Sequence, residues 1–280
     1  MNSRSKEQSI NEAFLDVSNI SLNFGGTRAL IDVSMSLRNN EILAIIGPNG
    51  AGKTSLMNCI TGFYKPQKGN IYFMQKEITN LQPRKIAKLG LARTFQNLRL
   101  FTESTVLTNL MTGAHMHLNS SFLEDCIYFG RSRKQDHEQI PRMDEILRFL
   151  DLEKYRESVV GKLPYGVRKR VELGRALSMK PRLLMLDEPM AGMSREEKDK
   201  MCTYIVGIAD REKLPIILIE HDMNVVMKIA NRIAVLNFGV KIAEGNPEEI
   251  TKDEEVIRAY LGETLENESE DSEDLKSRAS

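Results

Sequence analysis

The chemistry most legible in the chain is phosphate binding. Gly47-Pro48-Asn49-Gly50-Ala51-Gly52-Lys53-Thr54 places two glycines, with four residues between them, directly before Lys and Thr. Glycines let a backbone close around phosphates, so that successive N–H groups and the start of a following helix point at negative charge. Lys53 adds a cation for the outer phosphates, and the Thr54 hydroxyl can ligate Mg²⁺. An ordinary glycine turn would have no need of the apolar run Ile42 to Ile46 in front of it, which is the strand such a loop requires.

A second element supplies acids. Leu183-Leu184-Met185-Leu186-Asp187-Glu188 is an apolar strand ending in two carboxylates. They make sense if Asp187 reaches Mg²⁺, directly or through water, while Glu188 polarises an attacking water as general base. The rival is a strand running into a polar loop. A phosphate loop with a distal Asp fits ATPases, GTPases and small-molecule kinases alike, but no Asn-Lys-x-Asp guanine reader occurs.

The elements that must position these groups follow an α/β rhythm. Residues 14 to 46 read as strands, with near-alternation from Leu15 to Phe24, a turn at Gly25-Gly26, alternation from Ala29 to Leu37 and a continuous run at Ile42 to Ile46. A helix from Lys53 to Ile60 follows the loop, then a short strand Ile71 to Phe73. From about Leu98 to Met179 the texture is helical: Ile140, Met143, Leu147 and Leu150 recur at helical spacing, as do Val167, Val171 and Gly174. After it come strand Leu183 to Leu186, helix Arg195 to Ala209, strand Ile216 to Ile219, helix Met223 to Ala230 and strand Ile233 to Leu236. Such alternation predicts a mostly parallel sheet with ligands at the carboxyl ends of its strands.

The 280 residues, 41% hydrophobic, suffice for a substantial core. Lys+Arg and Asp+Glu are both 39, yet residues 263–280 hold seven acids against two bases, leaving 37 bases and 32 acids upstream. That places a mildly basic body beside an acidic tail expected to be disordered, with a flexible N-terminus over residues 1–13 and no charge excess drawing the chain to nucleic acid. No run approaches a membrane span, and the polar N-terminus lacks a secretory segment, so a cytoplasmic home is expected. Cys59, Cys126 and Cys202 fit neither disulfides nor zinc and read as core residues. His115 and His117 have no neighbours that would complete a metal site, and the fourteen methionines read as core filler.

Between the two motifs lies Leu163-Pro164-Tyr165-Gly166-Val167, followed by the basic helix Arg168 to Leu177. This segment resembles the signature motif of ABC-transporter ATPases. Gln96 in Arg93-Thr94-Phe95-Gln96-Asn97 stands at the place of their Q-loop and His221 in Ile219-Glu220-His221-Asp222 at that of their switch histidine, and the resemblance covers about residues 14 to 262. It implies a P-loop NTPase fold with a mostly parallel core sheet, an antiparallel β subdomain and an inserted α-helical subdomain over about 98–179. Two such domains would pack head to tail, each ATP lying between one P-loop and the other's signature. Gly47 through Ser55 would then hold ATP, with Tyr165 and Gly166 reaching the partner's nucleotide. Thr54, Gln96 and Asp187 would serve Mg²⁺, Gln96 would also contact the attacking water, His221 would contact the γ-phosphate, and Glu188 would be the base. Phe24 lies where the family stacks an aromatic on adenine, although a core strand position is an equal reading.

Arg93 to Phe101, Ile219 to Met223, Ile242 to Ile250 and Ala259 to Gly262 are similar to the ATPase subunits of branched-chain amino acid importers. Urea and lipopolysaccharide transporter ATPases share much of this wording. The resemblance implies integral-membrane permease subunits, a second ATPase subunit (identical or different), an indirectly coupled solute-binding protein, and a place on the cytoplasmic face of the membrane. The signature departs from its usual Leu-Ser start and Gln end, with Pro164 and Val167 instead, and Ser194 replaces a usual Asp. Proline offers neither hydroxyl nor N–H to a phosphate. A degenerate subunit that binds ATP for regulation therefore stands as an alternative, beside the ATPase of a related ABC system for urea, other amino acids or lipid export. A soluble ABC protein would usually carry two fused cassettes or a long coiled coil, where this chain shows one cassette and no heptads.

Overall fold

The structure, a computed structural model, describes residues 13–94, 98–114 and 131–260, with the side chains of 131–138 outside the description. The expectations for residues 1–12, Gln96, His115, His117, Cys126 and the acidic tail lie outside the described residues. Along the chain run β1 (Leu15–Phe24), β2 (Thr27–Leu37), β3 (Ile42–Ile46), α1 (Lys53–Ile60), β4 (Lys68–Phe73), β5 (Lys76–Glu77), α2 (Pro83–Lys88), β6 (Leu91–Arg93), α3 (Val106–Ala114) and α4 (Arg131–Phe149). Then follow α5 (Tyr165–Ser178), β7 (Leu183–Asp187), α6 (Arg195–Glu212), β8 (Ile216–Ile219), α7 (Met223–Ile229), β9 (Arg232–Asn237), β10 (Val240–Gly245) and α8 (Pro247–Ile250). They divide between two units, one of residues 1–81 with 217–280 and one of residues 82–216.

The first unit carries an antiparallel sheet, β2-β1-β4-β5. Its hairpin closes at Phe24 opposite Thr27 across the Gly25-Gly26 turn. Strand β4 begins three residues before the expected Ile71, because Asn70 and Lys68 pair with Ser18 and Ser21. Between them Gly69 takes φ 84, where a Cβ would meet the Ser18 carbonyl oxygen at 2.3 Å, so a polar stretch with no apolar alternation still joins the ladder. In the same unit β10, β9, β3 and β8 follow one another across a second sheet. Here β3 and β9 are parallel and β10 returns antiparallel. All five residues of β3 are buried, which is why it reads as a run and not an alternation. Ala44, Ile46, Val226, Ile233, Val235, Ile250 and Val256 form its core cluster.

One ion pair ties this sheet together. Arg232 at the start of β9 donates Nε to Glu41 Oε1 at 2.7 Å and Nη2 to Glu41 Oε2 at 2.9 Å, with a further bond to the Ser36 carbonyl at 2.6 Å. Its Nη1 also pairs with Glu244 of β10. A two-pronged guanidinium grip of this kind fixes geometry as well as charge.

The second unit holds helices α2 to α6 and the parallel pair β6 and β7. Met143, Leu147 and Leu150 on and after α4, and Val167, Val171 and Gly174 on α5, are buried as their spacing predicts, while Ile140 is only partly so. Helices α3 and α5 approach closely at Gly113, where a Cβ would lie 2.2 Å from Ser178 Oγ. Helix α6 starts on a capping box: Ser194 Oγ accepts from the Glu197 N–H while Glu197 Oε2 accepts from the Ser194 N–H at 2.9 Å. Among the described residues no helix is long and apolar enough to cross a membrane.

Candidate functional site

In the first unit the loop from Gly47 to Gly52 joins a fully buried strand to α1. Gly47 has φ 147, and a Cβ there would lie 2.0 Å from the Leu236 carbonyl oxygen on β9. Gly52 has φ 101, and its Cβ would lie 2.7 Å from the Ala29 carbonyl oxygen. Both glycines are therefore demanded by the neighbouring strands. Gly50 differs: φ is 76, but a Cβ would meet nothing within 4 Å, so its glycine is asked for by backbone conformation and not by a close neighbour. Lys53 is 8% exposed and folds over the loop, donating Nζ to the carbonyls of Gly47 at 2.6 Å and Pro48 at 2.8 Å.

Helix α1 begins with no side-chain cap and no acid in its first turn. Its first-turn N–H groups carry the positive end of the helix dipole, the standard setting for an anion. Thr54 is exposed and Ser55 partly so. His221 is exposed at the bend after β8, beside Asp222, whose Oδ1 caps α7 through the Asn224 N–H at 3.1 Å. Strand β8 is the neighbour of β3, so His221 and the glycine loop follow adjacent strands. Phe24 is 45% exposed, its ring edge-on to Tyr64 at 5.0 Å, which removes the core-strand reading. Cys59 on α1 is buried, and that burial pushes its thiol up to about 12, so it is inert filler.

In the second unit β7 delivers Asp187 buried at 3% exposure and Glu188 at the surface edge. Glu188 has φ 47, a left-handed backbone at a long side chain, with a cost of order 1–3 kcal/mol. Asp187 Oδ2 accepts from Arg93 Nη2 at 2.7 Å, with side chains 4% and 6% exposed. No local sequence signal marks this pairing, because the two residues are 94 positions apart. The basic helix α5 is not wholly solvated either. Lys169 is 2% exposed and donates Nζ toward the Glu188 carbonyl at 3.4 Å, linking the signature helix to the acidic pair.

The signature itself begins α5. Pro164 is its N-cap, with no side-chain hydrogen bond. A Cβ at Gly166 would lie 2.1 Å from Glu197 Oε1, so the capping carboxylate of α6 rests directly on this glycine. Tyr165 is 37% exposed, and Gly192 packs against its ring, a Cβ there falling 3.3 Å from Cε1. Among the described residues no three His, Cys, Asp or Glu side chains cluster as a metal cage. Mg²⁺ takes one or two protein oxygens plus substrate phosphates, and the Thr54 hydroxyl in the first unit and the Asp187 carboxylate in the second are each an oxygen donor of that kind.

A glycine loop closed by its flanking strands around an uncapped helix start is the machinery of a P-loop nucleotide-binding ATPase. Residues 30–191 match the ABC transporter family, and residues 240–265 match the family of branched-chain amino acid ATP-binding cassette transporters. The chain is 40% identical over 249 residues to the high-affinity branched-chain amino acid transport ATP-binding protein BraF of Pseudomonas aeruginosa, spanning 89% of this chain and 98% of that protein. It is 39% identical to LivG of Salmonella typhimurium, a protein of the same description, over 91% of this chain and all of the relative. Among solved structures, an ATP-binding cassette of an ABC transporter in its ADP conformation superposes with a TM-score of 0.78 at 32% identity, covering 89% of this chain and 99% of the other. The chain belongs to the ABC transporter family, as one of its ATP-binding ATPase subunits.

Proposed function

We propose that this subunit drives an importer of branched-chain amino acids, converting ATP hydrolysis into movement of membrane-embedded permease partners from the cytoplasmic face. The observation that carries the substrate is full-length similarity to BraF and LivG, joined by the match of residues 240–265 to the branched-chain family. Cassette subunits of this family dimerise and work with membrane permeases, and in this reading a solute-binding protein delivers the cargo.

The residues divide the work as follows. The amides of 47–54, Lys53 and Ser55 bind the nucleotide's phosphates, and Phe24 stacks on adenine. Thr54, Asp187 and Gln96 would hold Mg²⁺, which would supply charge neutralisation for the phosphates. Water attacks the γ-phosphorus, and the bond to the β–γ bridging oxygen breaks with its electron pair leaving on ADP. Glu188 takes the proton from that water, while Gln96 orients it and His221 contacts the γ-phosphate. Tyr165 and Gly166 meet the partner subunit's nucleotide.

Pro164 favours one refinement. The phosphate loop, Glu188 and His221 are complete, whereas the signature has lost a hydroxyl and an N–H. The chain accordingly pairs with a different ATPase subunit, whose signature completes this chain's site, and the weaker site lies on the partner's loop. Reconstitution with cognate permeases in vesicles, followed by ATP-dependent uptake of labelled leucine, tests the assignment. Uptake that requires ATP and this subunit is expected; a transporter that hydrolyses ATP yet moves no branched-chain amino acid would overturn it.

A further inference from the structure

Asp187 is held more tightly than a cation ligand needs to be. Its carboxylate is paired with Arg93 at 2.7 Å out of solvent. Its N–H donates to Thr94 Oγ1 at 3.2 Å, and the Thr94 N–H in turn donates to the Met185 carbonyl at 2.9 Å. Register explains the convergence: Arg93 stands opposite Met185 in the parallel β6 and β7 pair, two residues before Asp187, so Arg93 and Thr94 reach the strand's carboxyl end. Two consecutive residues thus fix both the main chain and the carboxylate of Asp187.

A carboxylate this deeply buried must have a cation or take up a proton. Arg93 supplies that cation, since guanidinium is charged at all relevant pH. The same carboxylate is the one assigned to Mg²⁺ above, and two cations drawn to one carboxylate in a low-dielectric setting repel each other. We infer that Arg93 is a positioning residue that serves as the resident counter-ion of Asp187 and gives way to the divalent cation when magnesium nucleotide is loaded. This rests on Asp187 being a cation ligand. Cation loading then carries the cost of breaking an ion pair, and the strand end stays charge-balanced both before and after loading.

The test compares the full chain with Arg93→Met, of similar bulk but no charge. The dissociation constant of a fluorescent N-methylanthraniloyl ATP is measured in EDTA and in Mg²⁺. Removing the competing cation raises the ratio of the two constants by about tenfold or more, equivalent to ~1.4 kcal/mol. Arg93→Lys, which keeps the charge, stays near wild type. In parallel, Arg93→Met lowers the melting temperature of nucleotide-free protein by more than that of the Mg²⁺-ADP complex, where the metal replaces the lost charge. If Arg93→Met does not fold, Arg93→Gln carries the same expectation. An unchanged or smaller ratio, with equal loss of melting temperature in both states, would reduce Arg93 to a structural ion pair and overturn the proposal. Asp187→Asn separates the two readings: a wild-type Mg²⁺ dependence in that variant removes Asp187 from the metal altogether, whereas its loss beside an unresponsive Arg93→Met defeats only the exchange.

Discussion

The ammonium of Lys53 donates to the carbonyl of Gly47 at 2.6 Å, so the cation at the start of α1 is bonded to the first residue of the loop it closes. Lysine and glycine together shape the loop, one by its hydrogen bonds and the other by close approach to β9. Lys53→Met removes a charge-assisted bond to phosphate worth about 1.5–3 kcal/mol, which corresponds to a 10- to 150-fold weaker ATP affinity. Titration with nucleotide checks this, and the free protein should also lose some thermal stability, because Lys53 donates to two loop carbonyls.

Gly47 and Gly50 should respond to different degrees. Gly47→Ala sets a methyl 2.0 Å from a strand carbonyl, and the collision cannot be relieved by a side-chain rotation. A loss of more than about 2 kcal/mol in unfolding free energy is expected. Gly50→Ala meets no atom and should cost only about 1 kcal/mol for its positive φ, while weakening nucleotide binding. Chemical denaturation of both variants distinguishes the two.

Glu41 makes stability depend on acid. Burial opposes its ionisation, yet hydrogen bonds from Arg232 and the Arg38 N–H, with the charge of both arginines, hold its carboxyl below the usual range. With the folded value the lower one, the ionised pair stabilises the fold fully at neutral pH, and its contribution fades as pH falls below roughly 4. Breaking such a pair costs about 3–5 kcal/mol. The stability gap between wild type and Glu41→Gln should be near that size at pH 7 and should narrow below pH ~4. A gap that stays constant with pH would remove the ion pair as its source.

Much of this was legible because the signals were local. The run Ile42 to Ile46, the glycine loop, and the segments Lys53 to Ile60 and Ile216 to Ile219 were assigned to their observed limits, since burial, turn chemistry and helix period all act within a few residues. The short strand β6 and the return strand β10 were not seen. Three residues carry no period, and β10 is only half-buried, so its sequence has no clean alternation. The capping box Ser194-Arg195-Glu196-Glu197 could have been read, and it explains Ser194 as the cap of α6. The Arg93 to Asp187 pair could not, because a register between distant strands decides it.

Pro164 offers a gain-of-function test. Pro164→Ser restores a hydroxyl at the N-cap of α5, where serine in place of a non-capping residue contributes about 1 kcal/mol to the helix. In a complex with the second ATPase subunit it should also raise turnover at the partner's loop, by roughly tenfold for one recovered hydrogen bond. Full turnover by the unmodified chain as a homodimer would contradict the asymmetric pairing.

Single-turnover hydrolysis in the assembled transporter is the most direct test of Glu188 as the proton acceptor. Glu188→Gln preserves size and the left-handed backbone but cannot take a proton from water. Hydrolysis should fall by about 10²- to 10⁴-fold, while ATP affinity is retained and an ATP-bound dimer accumulates. Hydrolysis at the wild-type rate in that variant would contradict the assignment.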